Sequence, residues 1–250
     1  MKTKMKTNHA LCGLISGLLL LAAGTHTAHG SLITNGGFES NGGVNSTALT
    51  SWSTFNSGSG FWYAQSGTTS PISGHAVPSQ PGGSFAAMTD QSGPGTHILW
   101  QDFVVPVGIS SATLAFDLFL GNRDGAFTPG LALTHVGGTN QQARVDILTA
   151  SSSATSIAPG DVLLNVYQTG AADPLISGYT TETSTLTALL QANEGNTLRV
   201  RFAEVDNSGY FQMGVDNVNL ITVVPEPGTA LFGFACVGVA ALRRRRRSAV

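Results

Sequence analysis

Short runs of alternating apolar and polar residues recur through the middle of the chain, separated by clusters of glycine, serine and asparagine. A period of two places successive side chains on opposite faces of a strand. The clearest case is Leu198-Arg199-Val200-Arg201-Phe202, with apolar residues on one face and arginines on the other. Such runs predict strands over 48–55, 60–64, 84–89, 97–105, 112–120, 142–149, 162–168, 179–185, 197–204 and 211–223. Asp206-Asn207-Ser208-Gly209 falls between the last two and predicts a hairpin turn. One segment, 186–193, predicts a short helix ended by Glu194-Gly195-Asn196. Many short strands broken by turn signals predict an all-β sandwich over residues 31–224. At both ends the alternation gives way to continuous apolar runs, 11–24 and 229–242.

Those ends carry the positive charge. Lys2, Lys4 and Lys6 precede the first run, and a short polar stretch ending in Ala28-His29-Gly30 follows it. This order predicts a signal peptide over 1–30, cleaved between Gly30 and Ser31. The run is short for a membrane span, which takes about 20 residues. Cys12 precedes most of the apolar run, so it does not fit a lipidation site. The other end reads Val224-Pro225-Glu226-Pro227-Gly228, then the second apolar run, then Arg243, Arg244, Arg245, Arg246 and Arg247. Pro225 and Pro227 stop a helix from running in from the N-terminal side, and Pro227 suits a first helical position. A helix to Leu242 covers ~24 Å at 1.5 Å per residue, and snorkelling arginines extend it across a single transmembrane span over 228–242. The positive-inside rule keeps the lysines and the arginine cluster cytoplasmic. The region between them is then exported across the inner membrane.

Only 10% of the chain is charged, against about 25% in an average globular protein. Residues 31–224 hold 4 arginines, no lysine and 13 acids. That balance excludes a basic nucleic-acid-binding face. Both cysteines, Cys12 and Cys236, lie in the terminal apolar runs. The middle therefore has no disulfide, no thiolate chemistry and no cysteine-held zinc.

The tail resembles the PEP-CTERM sorting signal in its Pro225-Glu226-Pro227 motif, its short apolar helix and its arginine cluster, in that order. The resemblance covers 225–250. It implies processing by an exosortase near the motif, a transient inner-membrane anchor and delivery to the cell surface or beyond. Two further motifs frame the middle: Asn35-Gly36-Gly37-Phe38-Glu39 near its start and Val215-Asp216-Asn217-Val218 near its end. They resemble the first and last strands of galactose-binding-like jelly rolls, including many carbohydrate-binding modules. In that family the two strands pair and hold a structural calcium ion. The resemblance implies Glu39 and Asp216 as its ligands, with backbone carbonyls completing a shell of hard oxygens. Asn217 departs from the family pattern, which has a second acid there. Without an ion, Glu39 would cap a loop and Asp216 would pair with an arginine or a turn amide.

Patterns for catalysis are absent. No serine sits in a Gly-x-Ser-x-Gly elbow, and no His-Glu-x-x-His occurs. His75, His97 and His135 are widely spaced, and nothing singles out a working pair among the acids. Sugar binding needs an aromatic platform in a shallow cleft. Trp52, Trp62, Tyr63 and Trp100 are the candidates, and Trp62 is the expected exposed ring because neighbours in Phe61-Trp62-Tyr63 face opposite ways. These features describe an exported, non-catalytic envelope or extracellular-matrix protein whose partners are an exosortase and, transiently, the inner membrane. The alternative is a carbohydrate-binding module for exopolysaccharide; a polysaccharide- or ester-active enzyme ranks third. Mass spectrometry of the exported protein is expected to find a mature N-terminus at Ser31 and a C-terminus near 225–227. An exported chain retaining residues 1–30 would contradict the signal assignment.

Overall fold

The computed structural model describes residues 27–225. The body of the signal segment and the sorting tail from Glu226 onward lie outside the described residues, so the two terminal helices are not seen. Among the described residues no helix is long and apolar enough to cross a membrane.

Eleven strands and one helix follow in order: β1 (Thr27–Ser31), β2 (Ser53–Gly58), β3 (Phe61–Gln65), β4 (Ala86–Asp90), β5 (Gly95–Val104), β6 (Ser111–Asn122), β7 (Gln142–Thr149), β8 (Val162–Gln168), β9 (Thr180–Thr185), α1 (Thr187–Gln191), β10 (Thr197–Asp206) and β11 (Phe211–Pro225). They form two sheets. One has the order β3-β4-β11-β6-β9, with β1 also pairing β11; the other has the order β2-β5-β10-β7-β8. Every ladder is antiparallel. The sandwich expected from the alternation is therefore present, and all ten predicted strands appear within a few residues of their expected bounds. The predicted helix is present but shorter. β1 was not expected: it runs across the predicted cleavage point, from Thr27 opposite Pro225 to Ser31 opposite Ile221.

β10 shows why the sequence folds this way. Leu198, Val200 and Phe202 point into the core, where Phe202 packs edge-on against Phe116 at 5.3 Å between ring centroids. Trp52 bridges Phe202 at 6.0 Å and Phe38 at 5.2 Å. Phe38 belongs to the first framing motif, so that motif supplies core as well as turn.

On the outer face of the same sheet lie Arg199 and Arg201. Arg201 is fully buried and donates to Asp146 from Nε and Nη2, and to the Ala154 and Ser156 carbonyls from Nη1. Arg144 donates to the same carboxylate from Nε at 2.8 Å and from Nη2 at 2.6 Å. Asn165 adds a fifth donor at 2.8 Å. Arg199 holds Asp102 through Nε at 2.6 Å and lies over the Trp100 ring at 5.1 Å. These side chains fasten residues 150–156 over the sheet.

β11 changes face partway along. Met213 and Val215 face the core before a bulge between Asp216 and Asn219; Val218 and Leu220 face it afterwards. One extra residue reverses the parity of a strand. Asn217 takes it up in the left-handed region, at φ 50°. The first framing motif docks here: Val218 N–H donates to the Gly36 carbonyl at 2.9 Å. A Cβ on Gly36 would collide with the Val218 carbonyl, so the close approach requires glycine.

Removing one member of a buried ion pair strands the other, at a cost of about 3–5 kcal/mol. Asp146→Ala leaves two buried guanidiniums without their carboxylate. Chemical denaturation is expected to show a loss of about that size, whereas a loss below about 1 kcal/mol would show that the triad is solvated.

Candidate functional site

The framing motifs do come together. Glu39 Oε1 accepts N–H bonds from Ser84 at 2.8 Å and Phe85 at 2.9 Å. Asp216 accepts from Gly82 at 3.1 Å through Oδ2 and from Asn217 at 2.7 Å through Oδ1. Both acids thus grip the loop 82–85 or their own turn, as expected of a loop cap and a turn acceptor. Asn217, in place of the family's second acid, donates its side-chain amide to Asp117 on β6 at 2.7 Å. Asp117 thereby brings a third negative charge to the site. Burial raises the Asp216 carboxyl to about 7; the Asn217 and Gly82 amides oppose this, and the charges of Asp117 and Glu39 add to it. Beside them the Tyr179 hydroxyl is buried without a hydrogen-bond partner, and burial followed by the Asp216 and Asp117 charges raises it strongly. Glu39 and Asp216 each already accept two backbone amides, and among the described residues the three acids do not bring their oxygens into one close cluster as His97, Glu204 and Asp206 do.

The expected exposed ring is not at Trp62. That side chain is 0% exposed and packs in the core with Ala64 and Ala87. Its strand parity turns it inward, and its neighbours Phe61 and Tyr63 lie on the other face, edge to face at 6.1 Å, with Phe61 exposed and Tyr63 buried. Trp52 is core as well, with its indole N–H on the Asn35 carbonyl at 3.0 Å. Trp100 is half-buried beneath Arg199.

An aromatic ring does stand exposed at one end of the sandwich. There the turns β2–β3, β4–β5 and β10–β11 meet: Ser59 N–H donates to the Pro94 carbonyl at 2.9 Å, and the Ser59 and Ser92 hydroxyls lie 3.3 Å apart. The turns enclose a cleft of about 200 Å³, lined by Ser92–Pro94 and by Asp206–Tyr210. Tyr210 is 41% exposed and rests on His75 at 4.8 Å between centroids. The turn at 206–209 builds this wall; it is not the expected hairpin, because β10 and β11 belong to different sheets and the chain crosses between them here. Gln141 stiffens it, its side-chain oxygen accepting from the Asn207 and Ser208 amides.

Below the cleft lies a group that the sequence reading did not single out. His97 on β5 sits directly opposite Glu204 on β10, and Asp206 lies two residues further along. All three are buried. Burial lowers His97 to about 4; the Ser59 carbonyl opposes this and His135 adds to it. Burial raises Glu204 well above the carboxylate range, with Asp206 and Asp90 adding. Burial also raises Asp206 to about 7, against hydrogen bonds from Gln91 and the Gly95 amide. Asp90 behaves oppositely: burial acts to raise it, but bonds from Ser73, Ile72 and Gln212 hold it below its ordinary value. The signal for this group was available, since Glu204 and Asp206 continue the inward parity of Leu198, Val200 and Phe202.

No protein-family model matches the chain, and no curated protein matches it by sequence. Solved structures to which the chain is similar include TmCBM61 in complex with β-1,4-galactotriose; it is 11% identical, with 76% of this chain and 97% of that one covered and a TM-score of 0.42. A Stig cyclase of Fischerella sp. TAU is 18% identical, with 79% and 99% covered and a TM-score of 0.46. The enzymatically active domain of tailspike protein 4 of bacteriophage CBA120 is 12% identical, with 77% of this chain covered and a TM-score of 0.41. This chain spans only 21% of the tailspike. Carbohydrate-binding modules and enzymes both stand among these neighbours. At this level of likeness no residue role transfers.

The two aromatic positions make opposite predictions. Trp62→Ala is expected to cost about 3–5 kcal/mol in denaturant unfolding. Tyr210→Ala is expected to stay within about 0.5 kcal/mol of the parent. Equal losses would mean that the burial of one ring is misassigned.

Proposed function

We propose that the sandwich is a non-catalytic carbohydrate-binding domain of an exported protein, acting on exopolysaccharide at or beyond the cell surface. Residues 1–30 carry it across the inner membrane, and the tail 225–250 hands it to an exosortase. The observation that supports binding is the cleft itself. The exposed Tyr210 ring offers an apolar face for sugar C–H groups, and Ser92, Ser208 and Asp206 offer hydroxyl and carboxyl partners beside it. Glycoside hydrolysis by the usual route needs two carboxyls on opposite sides of the scissile bond. Glu204 is fully buried and presents no carboxyl to a sugar in the cleft. A matrix-structural role is the second reading, supported by the low charge of the chain.

Calorimetric titration of the full chain with its host's exopolysaccharide is expected to give saturable heat, lost or weakened at least tenfold in Tyr210→Ala. A flat trace with the parent protein would favour the structural role. Calcium at Glu39 and Asp216 belongs to the same proposal, as a fastener of loop 82–85. Chelation with EGTA is expected to lower the melting temperature of the parent and leave that of Asp216→Asn unchanged. Equal responses of the two proteins would remove calcium from this site.

A further inference from the structure

The group beneath the cleft poses a physical problem. Glu204 is fully buried, and neither of its oxygens accepts a hydrogen bond. The His97 Nε2 atom is also buried and unpartnered. Isolated buried carboxylates are costly unless they are paired, protonated or bound to a metal. Pairing is closed off here. Arg144, Arg199 and Arg201 are committed to Asp146 and Asp102, and Arg123 donates to the Ala76 carbonyl. No other arginine or lysine lies between residues 31 and 224.

The geometry suits a cation. One ligand atom from each of His97, Glu204 and Asp206 lies within 4.8 Å of the other two. His97 Nδ1 lies 3.1 Å from Asn56 Oδ1. With the proton on Nδ1, that contact fixes the ring and leaves the Nε2 lone pair free for a metal, as outer partners of metal-bound histidines do. Gly95 N–H orients Asp206 at 2.8 Å. Gly95 has a second role: a Cβ there would collide with His97 Nε2 and crowd the Ser59 carbonyl. Asp206 also lines the cleft, which gives an ion a way in.

We propose that His97 Nε2 and the carboxylates of Glu204 and Asp206 bind a divalent first-row transition metal ion of the zinc type. The imidazole sets the class. Nitrogen ligation suits zinc and its neighbours, whereas calcium and magnesium take oxygen. Three protein ligands leave a fourth tetrahedral position, on the side of Asp206 and the cleft, for water or a cleft occupant. This inference does not rest on the carbohydrate reading, and its site is separate from the Glu39–Asp216 pair.

The test is a zinc titration of the metal-free full chain, untagged, against a chromophoric chelator, followed by cobalt(II) substitution. The parent is expected to take up one tight equivalent of zinc and to give the visible spectrum of tetrahedral cobalt. Glu204→Gln and His97→Asn are expected to lose both. Asn56→Ala, which leaves all three ligands in place, should weaken zinc about 10–100-fold and guards against misfolding in the other two variants. Glu39→Gln should leave zinc binding unchanged. Failure of the folded parent to bind zinc would overturn the proposal. So would zinc binding that is the same in the parent, Glu204→Gln and Asn56→Ala. An infrared band of a protonated carboxyl that is lost in Glu204→Gln and insensitive to zinc would overturn it in favour of a buried proton.

Discussion

Positive charge is scarce in this sandwich, and the four arginines it has are all committed. Two of them clamp Asp146 and a third holds Asp102, all on the outer face of the β2-β5-β10-β7-β8 sheet. The fourth is tied to a backbone carbonyl. Every other acid must be satisfied by something else. Asp90 is satisfied by amides, a hydroxyl and Gln212. Glu39 takes two amides. Glu204 is buried with neither oxygen hydrogen-bonded, and Asp206 and Asp216 are buried on backbone amides with no arginine to neutralise them; these carboxyls mark two places in the molecule.

The two central strands connect those places. β10 and β11 lie in the middle of opposite sheets and are joined by the inter-sheet turn that forms the cleft wall. β10 carries the buried acids at the end that enters that turn. β11 carries Asp216 at the bulge that turns its second half over. A strand with neighbours on both sides is held from both sides, so the side chains at its ends are well placed to define a site. The cleft inherits that order while remaining built from turns, where exposed rings such as Tyr210 can stand.

Much of this was legible in the sequence, for definite reasons. Alternation revealed the strands because each has one buried face, as Leu198 to Phe202 shows. The pairing of the framing motifs was legible from Asn35–Glu39 and Val215–Val218, and the structure brings Glu39 and Asp216 to the same loop. Trp62 was misjudged because alternation says that neighbours face opposite ways and does not say which face is covered. β1 was hidden in the polar stretch that also reads as the end of a signal. The parity of Glu204 and Asp206 was visible, but their partner His97 required the register between β5 and β10, which no local pattern encodes.

The central claim is that the loop end of the sandwich is the binding surface. Its most direct test is a map of backbone amide NMR shifts in the protein on addition of oligosaccharides cut from its host's exopolysaccharide. Perturbations are expected to concentrate at Ser92, Gly93 and Asn207–Tyr210, with the opposite end of the sandwich, at Ser111–Thr113 and Ile221–Val223, unmoved. Perturbations centred on that other end, or none at saturating sugar, would contradict it.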